Sequence, residues 1–187
     1  MEQLTKSQAQ TLLESTTSQP HLMLHALAVS AAMGAMAKHF GADTGYWEAV
    51  GLLHDYDYQQ YPQEHLQHTE QPLREAGVDE ESIRAILSHG WGICSDVEPR
   101  TAMEKSLYTV DSLTGLISAT AKMRPTGIFD LTASSVTKKL KDKRFAAGVN
   151  RETIRKGIEM LGMERAEVIT LCIDGMKPYA QKLELKG

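Results

Sequence analysis

His54 and Asp55 stand side by side at the end of the apolar run Gly51-Leu52-Leu53, with Tyr56 after them. An ionised carboxylate leaving an apolar stretch is costly unless a cation or hydrogen-bond donors compensate it. A divalent metal ion is the usual compensation for an imidazole and a carboxylate presented together. The pair does not stand alone: His25 lies upstream, and His65, His89 and Asp111 lie downstream. No Gly-x-x-x-x-Gly-Lys phosphate loop and no nucleophilic triad is present, so metal-activated water is the nucleophile these residue types support.

Helical spacing dominates the chain, and prolines and glycines punctuate it at intervals suited to packed helices. Helices are expected over Thr5–Ser15, from Pro20 toward Gly41, and from Asp43 or Thr44 to the His54-Asp55 pair. Others are expected over Gln63–Ala76, Asp79–Ser88, Pro99–Lys122, Thr132–Lys141 and Arg151–Leu161, and from Glu164 onward, with Pro178 kinking or ending the last. The reading is one all-α domain. The second helix carries Ala26, Ala28, Ala31, Ala32, Gly34, Ala35 and Ala37 and is apolar on nearly every side, which places it at the centre of a bundle. It contains His25 and Ser30 and lacks the roughly 20 clean apolar residues of a membrane span.

These elements determine what the polar residues can do. At 3.6 residues per turn Asp111 shares a face with Leu107, Val110, Thr114, Ile117 and Ser118, a mostly apolar set on which an unpaired carboxylate would be costly. His25 lies between Leu24 and Ala26, and His21, one turn earlier at the helix start, is expected to be exposed, as is His39. His54 and Asp55 would project about 100° apart on a continuous helix, so a shared ion requires the helix to end there. Either His65 or His68, three residues on, can point into the same cleft. His89, before Gly90, can be a ligand or simply a histidine at a favourable helix C-terminus.

His25, His54-Asp55 and Asp111 together resemble the H…HD…D signature of the HD superfamily of metal-dependent phosphohydrolases. The stretch from His65 through Pro72-Leu73-Arg74-Glu75-Ala76-Gly77 to Ile83-Arg84-Ala85-Ile86-Leu87-Ser88-His89 resembles the histidine-rich segment of members that hold two metals. Glu104–Ile117 and Phe145–Glu152 look like a bacterial subgroup of predicted HD hydrolases, and the likeness covers most of residues 20–180. The resemblance implies a single-domain helical bundle of the HD type over residues 1–187. Its motif-bearing core would span about 20–120, with C-terminal helices at about 130–185 packed on it. It also implies that His25, His54, Asp55 and Asp111 bind one ion and His65 and His89 a second, with Asp55 bridging and acting in catalysis. Two departures stand out: Tyr56-Asp57-Tyr58 follows the pair in place of an Ile-Gly-Lys tail, and Gly90 stands where a second histidine would follow His89.

The 187 residues are 42% hydrophobic and 24% charged, enough for one self-sufficient core. A net charge of −4, from 24 acidic against 20 basic residues, argues against a large nucleic-acid surface or an anionic membrane as partner. Cys94 and Cys172 show no disulfide or metal-binding spacing, and the first 15 residues lack a secretory pattern, so a cytoplasmic location is expected. The densest basic cluster is Lys138, Lys139, Lys141, Lys143 and Arg144. Such runs are most often a solvated helix face, but Lys139, Lys143 and Arg144 are candidate contacts for a substrate phosphate. The expected function is hydrolysis of a phosphomonoester or phosphodiester in a nucleotide or other small phosphorylated metabolite. One or two ions of manganese, iron, cobalt, nickel, zinc or magnesium would serve it. A non-phosphate hydrolase or oxygenase, or a metal-containing nucleotide sensor, are the competing readings on such a scaffold.

Overall fold

The computed structural model describes residues 2–187 and forms α1 (Lys6–Thr16), α2 (Pro20–Phe40), α3 (Thr44–Leu53), α4 (Glu70–Glu75), α5 (Glu80–Ser88), α6 (Ala102–Lys122), α7 (Ala133–Lys141), α8 (Arg151–Leu161) and α9 (Arg165–Met176). A 3-10 turn, Lys177–Tyr179, follows at Pro178. No strand is present among the described residues, only one isolated bridge between Trp91 and Ser95. The protein is all-α.

Local chemistry sets most of the boundaries. Thr5, Asp43, Asp79, Thr101, Thr132 and Asn150 each accept the backbone N–H three residues on, satisfying one of the free amides of the first helical turn. At the other end, Gly41 and Gly162 take left-handed conformations (φ 65° and 63°) that release the chain from α2 and α8.

Two boundaries differ from the sequence expectation. The helix expected over Gln63–Ala76 is reduced to Glu70–Glu75, and residues 54–69 wind through successive turns. Leu66 there has φ 70°, which a helix cannot accommodate. Pro72 sits at the third position of α4, where its missing N–H breaks no intrahelical bond. The helix expected from Pro99 starts at Ala102, because Thr101 and Glu104 form a reciprocal capping box. Glu104 also accepts the Arg100 N–H at 2.6 Å and pairs with Arg84 at 3.2 Å. The last helix ends at Met176, just before Pro178, as the sequence leads one to expect.

One contiguous apolar core runs from Leu4 and Leu13 through Val29, Met33, Leu53, Ile86, Leu107 and Leu116 to Ile173 and Leu185. Helix α2 is long and apolar enough to cross a membrane by length and composition. In the fold it lies against α3, α6 and α9, with Val29, Ala32, Met33, Met36 and Ala37 fully buried. The α2–α3 contact is close because Gly51 lacks a Cβ, which would stand 2.9 Å from Met33 Cγ and 3.1 Å from Ser30 Cα. That crossing brings the C-terminus of α3 beside the first turns of α2, and α6 completes the enclosure.

Candidate metal centre

Four side chains from two helices and the end of a third converge. His25 comes from the second turn of α2 and Asp111 from the middle of α6. His54 is the residue that closes α3, and Asp55 follows in the turn. His25 Nε2 lies 2.9 Å from Asp111 Oδ1 and 3.2 Å from His54 Nε2. His54 Nε2 lies 3.2 Å from Asp55 Oδ2 and 3.3 Å from Asp111 Oδ1, and His25 Nε2 is 3.6 Å from Asp55 Oδ2. The helix end resolves the 100° difficulty, since Asp55 has left the helical path and turns back toward His54.

A second group adjoins the first. His65 Nε2 and His89 Nε2 are 3.2 Å apart, and they lie 3.2 and 3.5 Å from Asp55 Oδ1. Asp55 thus faces the first group with Oδ2 and the second with Oδ1. His65 comes from the turn segment and His89 closes α5.

The outer nitrogens explain the aim of the rings. His54 Nδ1–H donates to the Gly51 carbonyl at 2.7 Å, His89 Nδ1–H to the Ile86 carbonyl at 2.5 Å, and His65 Nδ1–H to Asp57 Oδ1 at 2.7 Å. These tautomers follow from the partners, because a carbonyl or carboxylate can only accept. In its neutral form each ring therefore turns the lone pair of Nε2 inward. Two such lone pairs 3.2 Å apart repel unless a cation lies between them. Donor atoms held about 2.0–2.2 Å from one ion stand roughly 3–3.5 Å from each other. The observed spacings, 2.9 to 3.6 Å, lie in or close to that range, so both groups could hold a divalent ion: His25, His54, Asp55 and Asp111 for one, Asp55, His65 and His89 for a second.

Electrostatics point the same way. Burial works against ionisation of Asp55, yet His54, His65 and His89 outweigh it and hold the carboxyl well below its usual range. Asp111 is lowered likewise by His25 and His54 against the opposing effect of burial. Burial disfavours the charged imidazoles, but Asp55 and Asp111 hold His54 well above its ordinary value, and Asp55 with Asp57 pushes His65 up to about 9. The cluster is a strong trap for positive charge, whether protons or a metal ion. The Cys94 thiol beside it is pushed up, first by burial and then by Asp57, Asp55 and Asp111, so it stays neutral and is no nucleophile.

The centre opens into a cavity of about 390 Å³ lined by His21, Leu22, His25, Asp55, Tyr58, His65, His89, Gly90, Ile93, Cys94 and Asp111. Asp111 is less enclosed than its helix face implies: its side chain is 26% exposed and lies at the cavity edge, while Leu107, Val110, Thr114 and Ile117 are buried. Of the two histidines open in the sequence, His65 enters the centre; His68 pairs with Glu64 at 2.5 Å and stacks on Tyr61 at the surface. His21 is exposed at the cavity mouth, and exposed His39 lies 3.7 Å from Glu167. Lys139, Lys143 and Arg144 do not line the cavity. The Lys139 ammonium sits over the Phe145 ring at 4.5 Å, and Lys143 and Arg144 are exposed in the turn after α7.

Two features were missed in the sequence. Asp57, 1% exposed, orients His65 and also accepts the His68 backbone N–H at 3.1 Å. Its signal was present as an acidic residue two positions after Asp55, read there only as a departure. Gly90 was read as a missing histidine, but a Cβ at that position would stand 2.5 Å from Leu66 Cδ1 and 2.6 Å from Cys94 Sγ, so the turn requires glycine. No protein-family model, curated protein or solved structure matches the chain.

Proposed function

We propose that this chain is a metal-dependent phosphohydrolase of the HD type, cleaving a phosphomonoester or phosphodiester of a nucleotide or similar small metabolite. The observation that carries the reading is the Asp55 carboxylate, whose two oxygens face two adjoining donor groups at the floor of an open cavity. A purely structural ion would be enclosed by protein ligands on every side. Here Asp55, Asp111, His25 and His65 all retain exposed surface toward a space large enough for a small ligand. The order of contributing elements, one histidine from α2, the pair at the end of α3 and an aspartate from α6, also matches the resemblance.

When bound, a pair of divalent ions supplies Lewis acidity toward a phosphoryl oxygen and a water made nucleophilic near neutral pH. The chain's own residues position and polarise. Asp55 is held ionised and sits between the two groups, where it can accept the proton of an attacking water. His54 and His89, anchored on backbone carbonyls, cannot swing away as charge develops, so little reorganisation accompanies the reaction. Tyr58 and Ile93, 39% and 67% exposed, give the mouth apolar surface for a base or other nonpolar part of the substrate. The cavity lining contains no Lys or Arg, so neutralising a phosphate there would fall to the ions that these residues would hold.

The test is a screen of phosphomonoesters and phosphodiesters with manganese, iron, cobalt, nickel, zinc and magnesium supplied in turn to the stripped protein. Turnover with at least one metal, lost in Asp55→Ala, is the expected result. An ion bound tightly with no turnover across the screen would overturn the enzymatic reading in favour of a metal-containing sensor.

A further inference from the structure

The centre does not end at its own cavity. A second cavity, of about 160 Å³, shares His21 and His25 with the first and continues between α2 and α6, reaching Gly115, Ser118, Lys122 and Leu183. Beyond it a third, of about 270 Å³, shares Lys122 and adds Arg124 and Lys186, with Glu184 as its one acidic residue. The α6 residues along this path, Asp111, Gly115, Ser118 and Lys122, follow steps of four, three and four and so form one stripe of the helix. Eleven residues at 1.5 Å each place Lys122 about 16 Å along the axis from Asp111.

We propose that this groove is part of the substrate site: the substrate is elongated and carries a second anionic group, which Lys122 receives at the far end. The inference deepens the phosphohydrolase reading and rests on it. Lys122 is exposed and has no ion-pair partner among the described residues, whereas Arg124 is taken up by Asp130 at 2.9 Å. In a chain of net charge −4, a free lysine at the end of a groove leading from a centre built to hold cations matches a ligand anionic at both ends. Gly115 supports the same path. Glycine in mid-helix is destabilising relative to alanine. A Cβ at Gly115 would meet nothing closer than Val149 Cγ2 at 3.8 Å, so packing does not demand the glycine. Its lack of a side chain keeps the groove floor low midway between Asp111 and Lys122. The substrate class is a phosphorylated metabolite with a second phosphate or carboxylate about 16 Å from the scissile phosphoryl group.

The probes are diphosphonates joined by ethylene-glycol spacers of increasing length, compared with the monophosphonate bearing the same spacer. Neither is hydrolysed, and binding to the manganese-loaded protein is read by calorimetry. The expected result is that the second phosphonate improves affinity by about fivefold or more, a margin typical of one exposed charge pair or slightly above. The gain should peak at spacers spanning roughly 16 Å. The ratio of diphosphonate to monophosphonate affinity should fall toward one in Lys122→Glu and partway in Lys122→Gln. A monophosphonate that binds while the second phosphonate adds nothing at any length would overturn the groove and leave the metal-centre reading standing. Failure of both probes to bind the loaded protein would overturn the two together.

Discussion

The buried carboxylate of Asp57 accepts the Nδ1–H of His65 at 2.7 Å, eight residues along the chain, and leaves the opposite nitrogen of that ring facing Asp55. A carboxylate in this position fixes the tautomer of a metal-binding histidine and raises its basicity. Replacing Asp57 with Ala should weaken binding of the second ion by about 10- to 100-fold while sparing the ion held by His25, His54 and Asp111. Metal titration of the stripped variant by calorimetry checks this, and equal affinities at both sites would show Asp57 to be structural only.

The two groups meet only at Asp55, so their ligands should separate by stoichiometry. His65→Ala or His89→Ala should lower the bound metal from two ions toward one, and Asp55→Ala should impair both sites. Phosphoester turnover should fall steeply in all three if both ions contact the phosphoryl group. Unchanged stoichiometry in both histidine variants would reduce the centre to a single ion.

Metal binding should release protons. Without an ion, His65 titrates near 9, so at neutral pH it carries a proton that a metal must displace. Apparent metal affinity should therefore rise with pH and level off above about 9, and calorimetry in buffers of different ionisation enthalpy should record protons leaving. The sign for stability follows from the same shift. In the metal-free protein the His65 contribution is fully present below about 6.5, the unfolded value. It is lost as pH climbs through about 9.

Asp79 offers a contrast away from the centre. It caps α5 and accepts the backbone N–H groups of Ser82 and Leu4, both at 2.9 Å, and the hydroxyls of Tyr46 and Ser82, both at 2.8 Å. Burial opposes ionisation, but these donors outweigh it and lower the carboxyl below its ordinary value. Its contribution is present above about pH 4, the unfolded value, and fades as pH falls through the lower folded one. Asp79→Ala should cost about 2–4 kcal/mol in urea unfolding, since it strands several buried donors. Metal stoichiometry should be unchanged.

Arg151 holds the segment after α7 by donating to the carbonyls of Lys139, Leu140, Asp142, Phe145 and Ala146. Lysine lacks the planar fork that serves so many acceptors at once. Arg151→Lys should therefore lower stability by about 1–3 kcal/mol and raise hydrogen exchange across residues 139–146.

Much of this was determined by the sequence alone. Helix periodicity and capping residues act over three or four positions, so Asp79, Thr132 and Asn150 could be read directly as starts of α5, α7 and α8. The donor types of His25, His54, Asp55 and Asp111 likewise announced metal chemistry wherever they came to lie. The turn segment at 54–69 could not be read this way. Its path is set by Leu66 at positive φ and by Asp57 accepting from both His65 and His68, contacts with no periodic signature. The choice of His65 over His68 depended on that path, as did the need for glycine at position 90, where Leu66 and Cys94 leave no room for a Cβ. Only tertiary structure decided that the two oxygens of Asp55 face different groups and that a groove leads from them to Lys122. Both depend on how α2, α3, α5 and α6 cross, and that is settled by packing among residues far apart in the chain.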